Sequence, residues 1–261
     1  MKKELDGRWA LVTGASSGIG AALAAELAAR GAALVLVARR RDALEALASR
    51  LRAEHWVEAR VETADLDRQG EPERLFTSLA AAGITVSVLA NNAGFGIYGA
   101  FDSIEAGTEE AMIDLDVKAV VRLTRLFVAP MRAAGYGRVL LTASVGAYSP
   151  SPLYAVYCAS KAFVLSYGLA IRRELRGTGV SVTVLSPGVV RTDFHRVAGH
   201  EDNRFKERTG MEAAPVAAAA VQGLMRGKAE VVPGLINKTL VFTTRLAPRP
   251  MQAAMAAQLM T

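Results

Sequence analysis

An apolar run, Trp9-Ala10-Leu11-Val12, leads into Thr13-Gly14-Ala15-Ser16-Ser17-Gly18-Ile19-Gly20 and then into an alanine-rich stretch where Ile19, Leu23 and Leu27 recur every four residues. A short apolar run before a glycine-rich turn reads as a buried strand, and apolar recurrence every four residues reads as a helix. Strand, glycine turn and helix in that order form the phosphate-binding start of a dinucleotide fold. Gly14 permits the tight turn, Gly18 lets the backbone approach a pyrophosphate, and Gly20 lets the helix pack closely on the strand. The free N–H groups of the helix start, in the segment Ser16-Ser17-Gly18-Ile19, then face the anion.

The rest of the chain repeats the alternation. Strands are expected near residues 9–12, 34–38, 57–62, 85–90, 138–143, 180–185 and 229–232, and helices near 18–30, 41–54, 71–82, 105–133, 154–176 and 214–226. Strands separated by helices of this length predict an α/β protein built on a parallel sheet. The hydrophobic share of 51% is enough to bury such a sheet on both faces. With no repeat and no Gly/Ser linker, residues 1–261 read as one domain, with 233–261 a C-terminal extension. Ligands on such sheets sit beyond the carboxyl ends of the strands. Gly14, Arg39, Asp65, Asn92, Ser144 and Pro187 each stand just after an expected strand, so one cleft would collect them.

Tyr157-Cys158-Ala159-Ser160-Lys161 carries the chemistry. A spacing of four puts Tyr157 and Lys161 on one helical face about one turn apart. A phenol titrates near ~10 and exchanges protons poorly at neutral pH; a neighbouring ammonium stabilises the phenolate and brings the group into a useful range. Ser144, upstream on a different element, can hydrogen-bond the same substrate oxygen. A Tyr/Lys pair at this spacing also arises by chance on solvated helices, so its meaning depends on the dinucleotide turn.

The glycine spacing G-x-x-x-G-x-G, Asn91-Asn92-Ala93-Gly94, Ser144, Tyr157-x-x-x-Lys161 and Pro187-Gly188 together resemble the short-chain dehydrogenase/reductase family in its branch of roughly 250 residues. The likeness runs from about residue 6 to about residue 232. It implies a single-domain Rossmann fold, a doubly wound parallel sheet of about seven strands with helices on both faces. It also implies hydride transfer between a nicotinamide cofactor and a carbonyl or alcohol, with Tyr157 exchanging the proton, Ser144 orienting the oxygen and Lys161 holding the ribose. The family's acid for the ribose 2′-hydroxyl would stand at Ala38, which is followed by Arg39-Arg40-Arg41. An arginine pairs with a 2′-phosphate where an acid would repel it, so Ala38 and Arg39, with Arg40, favour NADP(H).

By the same resemblance Asp65 and Leu66 receive the adenine, Asn92, Ala93 and Gly94 line the ribose, and Pro187, Gly188, Val190 and Thr192 seat the nicotinamide. Asn91 is expected to tie the strands together rather than touch the ligand. Phe95, Ala147, Tyr148, Leu153, Tyr154 and Phe194 are expected around a small hydrophobic carbonyl or alcohol substrate. From Asp193 to Glu212 the chain is polar and aperiodic and reads as a lid or a disordered stretch. Asp116, in Asp114-Leu115-Asp116-Val117-Lys118, stands where the family has a catalytic-site asparagine. That departure leaves open a dinucleotide-binding regulator or redox sensor with weakened turnover.

Other features bound the function. The net charge of +6 suits an anionic dinucleotide, but Lys and Arg are scattered without a basic block, which gives no support to nucleic-acid binding. Cys158 is the single cysteine, so no intramolecular disulfide can form; it reads as a small core residue. His55, His195 and His200 lack ligand spacing, and no metal is expected. No signal-peptide pattern or spanning apolar run is present, and the expected location is cytoplasmic. The long patterns near 105–133 and 154–176 resemble the helices with which relatives build a four-helix seam, so a homodimer or homotetramer is expected. In the extension, Lys238, Arg245 and Arg249 interrupt apolar residues, and Met251, Met255 and Leu259 recur every four. This pattern is expected to pack on the protein's own core or a partner subunit, with peripheral contact to a membrane surface the alternative.

Overall fold

The computed structural model describes residues 3–200 and 210–260. Seven parallel strands form one sheet in the order β3-β2-β1-β4-β5-β6-β7. They are β1 (Trp9–Thr13), β2 (Ala33–Ala38), β3 (Ala59–Thr63), β4 (Val86–Asn91), β5 (Gly137–Thr142), β6 (Val180–Leu185) and β7 (Glu230–Val231). Side chains alternate across a strand, and the two faces feed two separate cores. Ala10, Val12, Leu34 and Leu36 pack on one side. Leu11, Val35, Val37 and Leu89 pack on the other. All eight are fully buried, the pattern of a sheet covered on both faces.

Helices α1 (Gly18–Ala29), α2 (Arg41–His55) and α8 (Ala213–Met225) cover the first face, through residues such as Leu23, Leu44 and Val221. Helices α3 (Glu71–Ala81), α5 (Val120–Ala133) and α6 (Ala155–Glu174) cover the second, through Leu75, Phe127 and Val164. The strand order reverses where β1 lies beside β4, and the crevice beyond their carboxyl ends is where such sheets hold ligands.

Two segments differ from the sequence expectation. The helix expected over 105–133 is interrupted: α4 (Ala106–Ile113) passes through a wider π-helical turn, Asp114–Ala119, before α5 begins. Such bulges add a residue to the turn and re-aim its side chains, and here Asp116 is the one turned fully inward. Of the stretch expected to lack structure from Asp193 to Glu212, Phe194–Val197 forms a short helix, α7, and Val190 bridges to Met211. Residues 201–209 lie outside the described residues, as do the side chains of His195 and Leu259. The C-terminal extension is helical, with α9 (Leu235–Thr243), a 3-10 turn (Thr244–Leu246) and α10 (Arg249–Met260). Among the described residues, no helix is long and apolar enough to cross a membrane.

Candidate active site

A cavity of about 810 Å³ runs along the carboxyl ends of the strands. At one end lies the glycine turn. Gly14 and Gly18 have φ of +66° and +55°, a region costly for other residues. Gly20 presses so closely on the Gly14 carbonyl and the Asn92 amide that a Cβ would overlap both. Ser17, at the head of α1, makes no side-chain cap to the helix. The N–H groups there are therefore open to the cavity, the arrangement that receives an anion.

Beside the turn, Arg40 donates through Nη2 to the Ser16 hydroxyl at 3.2 Å, and Arg39 reaches Asp65 at 3.8 Å. Both arginines line the cavity with Asp65 and Leu66. Further along, Thr13 organises the end of β4: its hydroxyl accepts from the backbone N–H groups of Asn92 and Ala93, each at 2.9 Å. The Asn92 side chain donates to the Thr13 carbonyl at 3.1 Å. Asn91 is turned away, donating to Thr124 at 3.0 Å, so it ties β4 to α5 and stays off the cavity wall. Pro187, Gly188, Val190 and Thr192 close the opposite wall with Ser144, Tyr157 and Lys161. These contacts fit a dinucleotide: an open helix start for the pyrophosphate, glycines at the points of close approach, and cations where a 2′-phosphate would lie.

Ser144, Tyr157 and Lys161 converge on the same cavity from β5's exit and from α6. Ser144 caps the 3-10 turn Val145–Tyr148, its hydroxyl accepting from the Gly146 N–H at 3.1 Å. Burial pushes the Tyr157 phenol well above its ordinary range; the Ser144 hydroxyl works against that shift, and the charge of Asp116 adds to it. Lys161 Nζ stands 5.6 Å from the Tyr157 ring centre. It stands only 2.8 Å from Asp116 Oδ2, with both side chains buried. Asp116 also accepts from the Phe95 N–H at 3.2 Å and the Ser160 hydroxyl at 3.3 Å. Burial still pushes its carboxyl up, against the pull of Lys161 and these hydrogen bonds. Gly94 packs so tightly that a Cβ would meet Asp116 Oδ1 at 2.7 Å and Lys161 Nζ at 2.9 Å.

Of the six residues expected around the substrate, three reach the cavity wall. Phe95, Tyr154 and Phe194 line the cavity, but Ala147, Tyr148 and Leu153 do not. The 3-10 turn rotates Ala147 against the core and swings the Tyr148 hydroxyl to Ser186 at 3.1 Å. Leu153 sits in a left-handed conformation (φ +66°), and its carbonyl accepts from the Gly99 N–H at 2.9 Å. It turns the chain toward the start of α6. Cys158 is buried, as a core residue would be, yet it also lines the cavity. Burial raises its thiol pKa, which disfavours the nucleophilic thiolate.

An aromatic group roofs this end. Tyr157 lies 5.3 Å from Phe194 and 5.8 Å from Tyr154 between ring centres, and the Tyr154 hydroxyl meets His200 Nδ1 at 3.0 Å. Sequence reasoning missed Ile236, Asn237, Leu240, Thr244 and Ala256, which the extension brings into the wall. The available signal was Gly234 followed by Ile236 and Leu240 at helical spacing. Ser160, adjacent to Lys161, was also missed.

Residues 8–203 match the family model described as short chain dehydrogenase. A very-long-chain 3-oxoacyl-CoA reductase from Anas platyrhynchos is 31% identical over 214 residues, covering 80% of this chain and 68% of that protein. Among solved structures, a short-chain dehydrogenase from Sphingobium yanoikuyae in complex with NADPH is 33% identical with a TM-score of 0.83, covering 92% of this chain and 93% of that one. A bulky-bulky ketone specific alcohol dehydrogenase from Comamonas testosteroni is 31% identical with a TM-score of 0.78, covering 92% of each chain.

Proposed function

The chain belongs to the short-chain dehydrogenase family, an NAD(P)-dependent oxidoreductase fold, and from that premise we propose that it is an NADPH-dependent reductase of hydrophobic ketones or aldehydes. The observation that carries this reading is the convergence of Ser144, Tyr157 and Lys161 on the cavity that begins at the glycine turn. NADPH, when bound, supplies the hydride. Arg39 and Arg40 hold the 2′-phosphate, and the start of α1 holds the pyrophosphate. Asp65 and Leu66 receive the adenine. Asn92, Ala93, Gly94 and Lys161 hold the ribose, and Pro187, Gly188, Val190 and Thr192 orient the nicotinamide.

Tyr157 donates its proton to the carbonyl oxygen while the Ser144 hydroxyl hydrogen-bonds the same atom. Asp116 holds Lys161 through their ion pair. Because these groups are fixed by helix and strand ends, orientation supplies much of the acceleration. Phe95, Tyr154, Phe194, Ile236 and Leu240 give the substrate end an apolar wall. The ketone-specific relative and the acyl-CoA reductase support a hydrophobic carbonyl substrate. Cells keep NADPH largely reduced, which favours carbonyl reduction over alcohol oxidation.

A weakened dinucleotide-binding regulator is the rival reading, favoured by the Asp116–Lys161 pair. NADPH oxidation across a panel of bulky ketones, aldehydes and 3-oxoacyl thioesters, with NADH in parallel, separates the two. Turnover with at least one bulky carbonyl supports the reductase. Tight NADPH binding without turnover on any member supports the regulator.

A further inference from the structure

The C-terminal helices leave a large apolar surface uncovered. Val241 anchors α9 to the protein and is buried. On the rest of that helix Leu235 is 79% exposed, Ile236 69% and Phe242 59%, and Leu246 in the following turn is 74% exposed. Met251 and Met255, one turn apart on α10, are more than half exposed. At 100° per residue, Phe242, Leu235 and Thr239 fall on one outward strip of α9, with Lys238 on one flank and Ile236 on the other. That is the layout of a helix lying in an interface, with a cation able to snorkel beside an apolar strip.

Charge indicates what covers it. From Val231 to Thr261 the sequence carries Lys238, Arg245 and Arg249 and no Asp or Glu. A two-fold contact between copies through this face would bring like charges together. An anionic surface would neutralise them. The face is also continuous with the cavity: Ile236 lines it while largely exposed, and so does Val197 at 60% exposure on α7, so both stand at its mouth. Leu240, Thr244 and Ala256 continue the same wall inward.

We propose that α9, the turn after it and α10 form a docking surface for an anionic lipid bilayer, which brings the mouth of the cavity to the membrane surface. The apolar strip enters the headgroup region while Lys238, Arg245 and Arg249 meet lipid phosphates. A hydrophobic compound dissolved in the lipid would then pass between Ile236 and Val197 without crossing water. The docking itself does not depend on which reaction the site performs.

Co-sedimentation of the full chain with vesicles of phosphatidylcholine containing about one third phosphatidylglycerol, against pure phosphatidylcholine, tests this. The wild type should pellet with the anionic vesicles, and binding should weaken severalfold in high salt, where headgroup attraction is screened. Each cation near such a surface is worth about fivefold in partitioning, so R245E/R249E should lower binding by more than about tenfold. F242S/L246S, which alters outward side chains only, should also release the protein while leaving NADPH affinity unchanged. The proposal is overturned if the wild type stays in the supernatant, or if both double variants bind anionic vesicles like the wild type. It is also overturned if F242S/L246S halves the mass in light scattering with vesicle binding intact, since a second copy would then be what covers the face.

Discussion

Asp116 Oδ2 lies 2.8 Å from Lys161 Nζ, and neither side chain is open to solvent. The π-helical turn aims the carboxylate inward, and Gly94 leaves the space in which the pair meets. The lysine expected to ease ionisation of Tyr157 is therefore matched by an opposite charge. The phenol stands high through burial first, with the carboxylate adding to the shift.

Replacing that carboxylate by an amide tests its effect on the proton donor. Asp116→Asn removes a negative charge near Tyr157, so the phenol pKa falls and the protonated tyrosine becomes a stronger acid. In the reducing direction, turnover near neutral pH should rise. The alkaline limb, which reports loss of the Tyr157 proton, should move to lower pH. Superimposable pH–rate profiles for the two proteins would show Asp116 to be a passive substitute for asparagine.

Cofactor choice rests on Arg39 and Arg40. Losing one charged hydrogen bond to phosphate costs roughly 1.5–3 kcal/mol. Arg39→Ala should weaken NADPH binding about ten- to a hundredfold by calorimetry and leave NADH nearly unchanged. Equal wild-type affinity for the two cofactors would remove the assignment.

A tight packing point joins the extension to the cofactor wall. A Cβ on Gly188 would overlap the Asn237 side chain, which donates to the Pro233 carbonyl at 2.7 Å. Gly188→Ala should therefore displace α9 and weaken NADPH binding by at least about tenfold, a loss of about 1.4 kcal/mol. Asn237→Ala in the same chain should recover most of it. Two losses that simply add would mean that the residues do not interact.

Assembly is a separate expectation. Phe163 on α6 is 41% exposed and stacks on Tyr167 with ring centres 5.7 Å apart, which leaves an aromatic pair at the surface of one of the two helices expected to pair between subunits. Light scattering at micromolar concentration should give a dimer or tetramer mass, and Phe163→Glu should reduce it. A monomeric wild type would refute this.

The sheet, its flanking helices and the glycine turn were legible because short continuous apolar runs, apolar recurrence every four residues and glycine spacing are local signals. Gly14 and Ser144 follow strand ends, and Tyr157 and Lys161 lie in the first two turns of α6, so all four meet in one cavity. What escaped depended on rotations that no short window encodes. The 3-10 turn after Ser144 took Ala147 and Tyr148 off the cavity, and a left-handed Leu153 did the same. Asn237 and Ile236 became wall residues only because α9 folds back over Gly188. The apolar residues of 235–246 were visible, but whether they are covered is decided by the tertiary structure, which leaves most of them exposed.

The central claim is that Tyr157 hands a proton to a carbonyl oxygen in this cavity, and Tyr157→Phe tests it most directly. The substitution keeps the ring among Tyr154 and Phe194 and deletes only the acid. General acid catalysis is worth typically ~10²–10⁴-fold. Single-turnover reduction of the best ketone should therefore slow by about that factor, with NADPH affinity unchanged by calorimetry. A variant that keeps more than about a tenth of the wild-type single-turnover rate would contradict the account, because the proton would then come from another group.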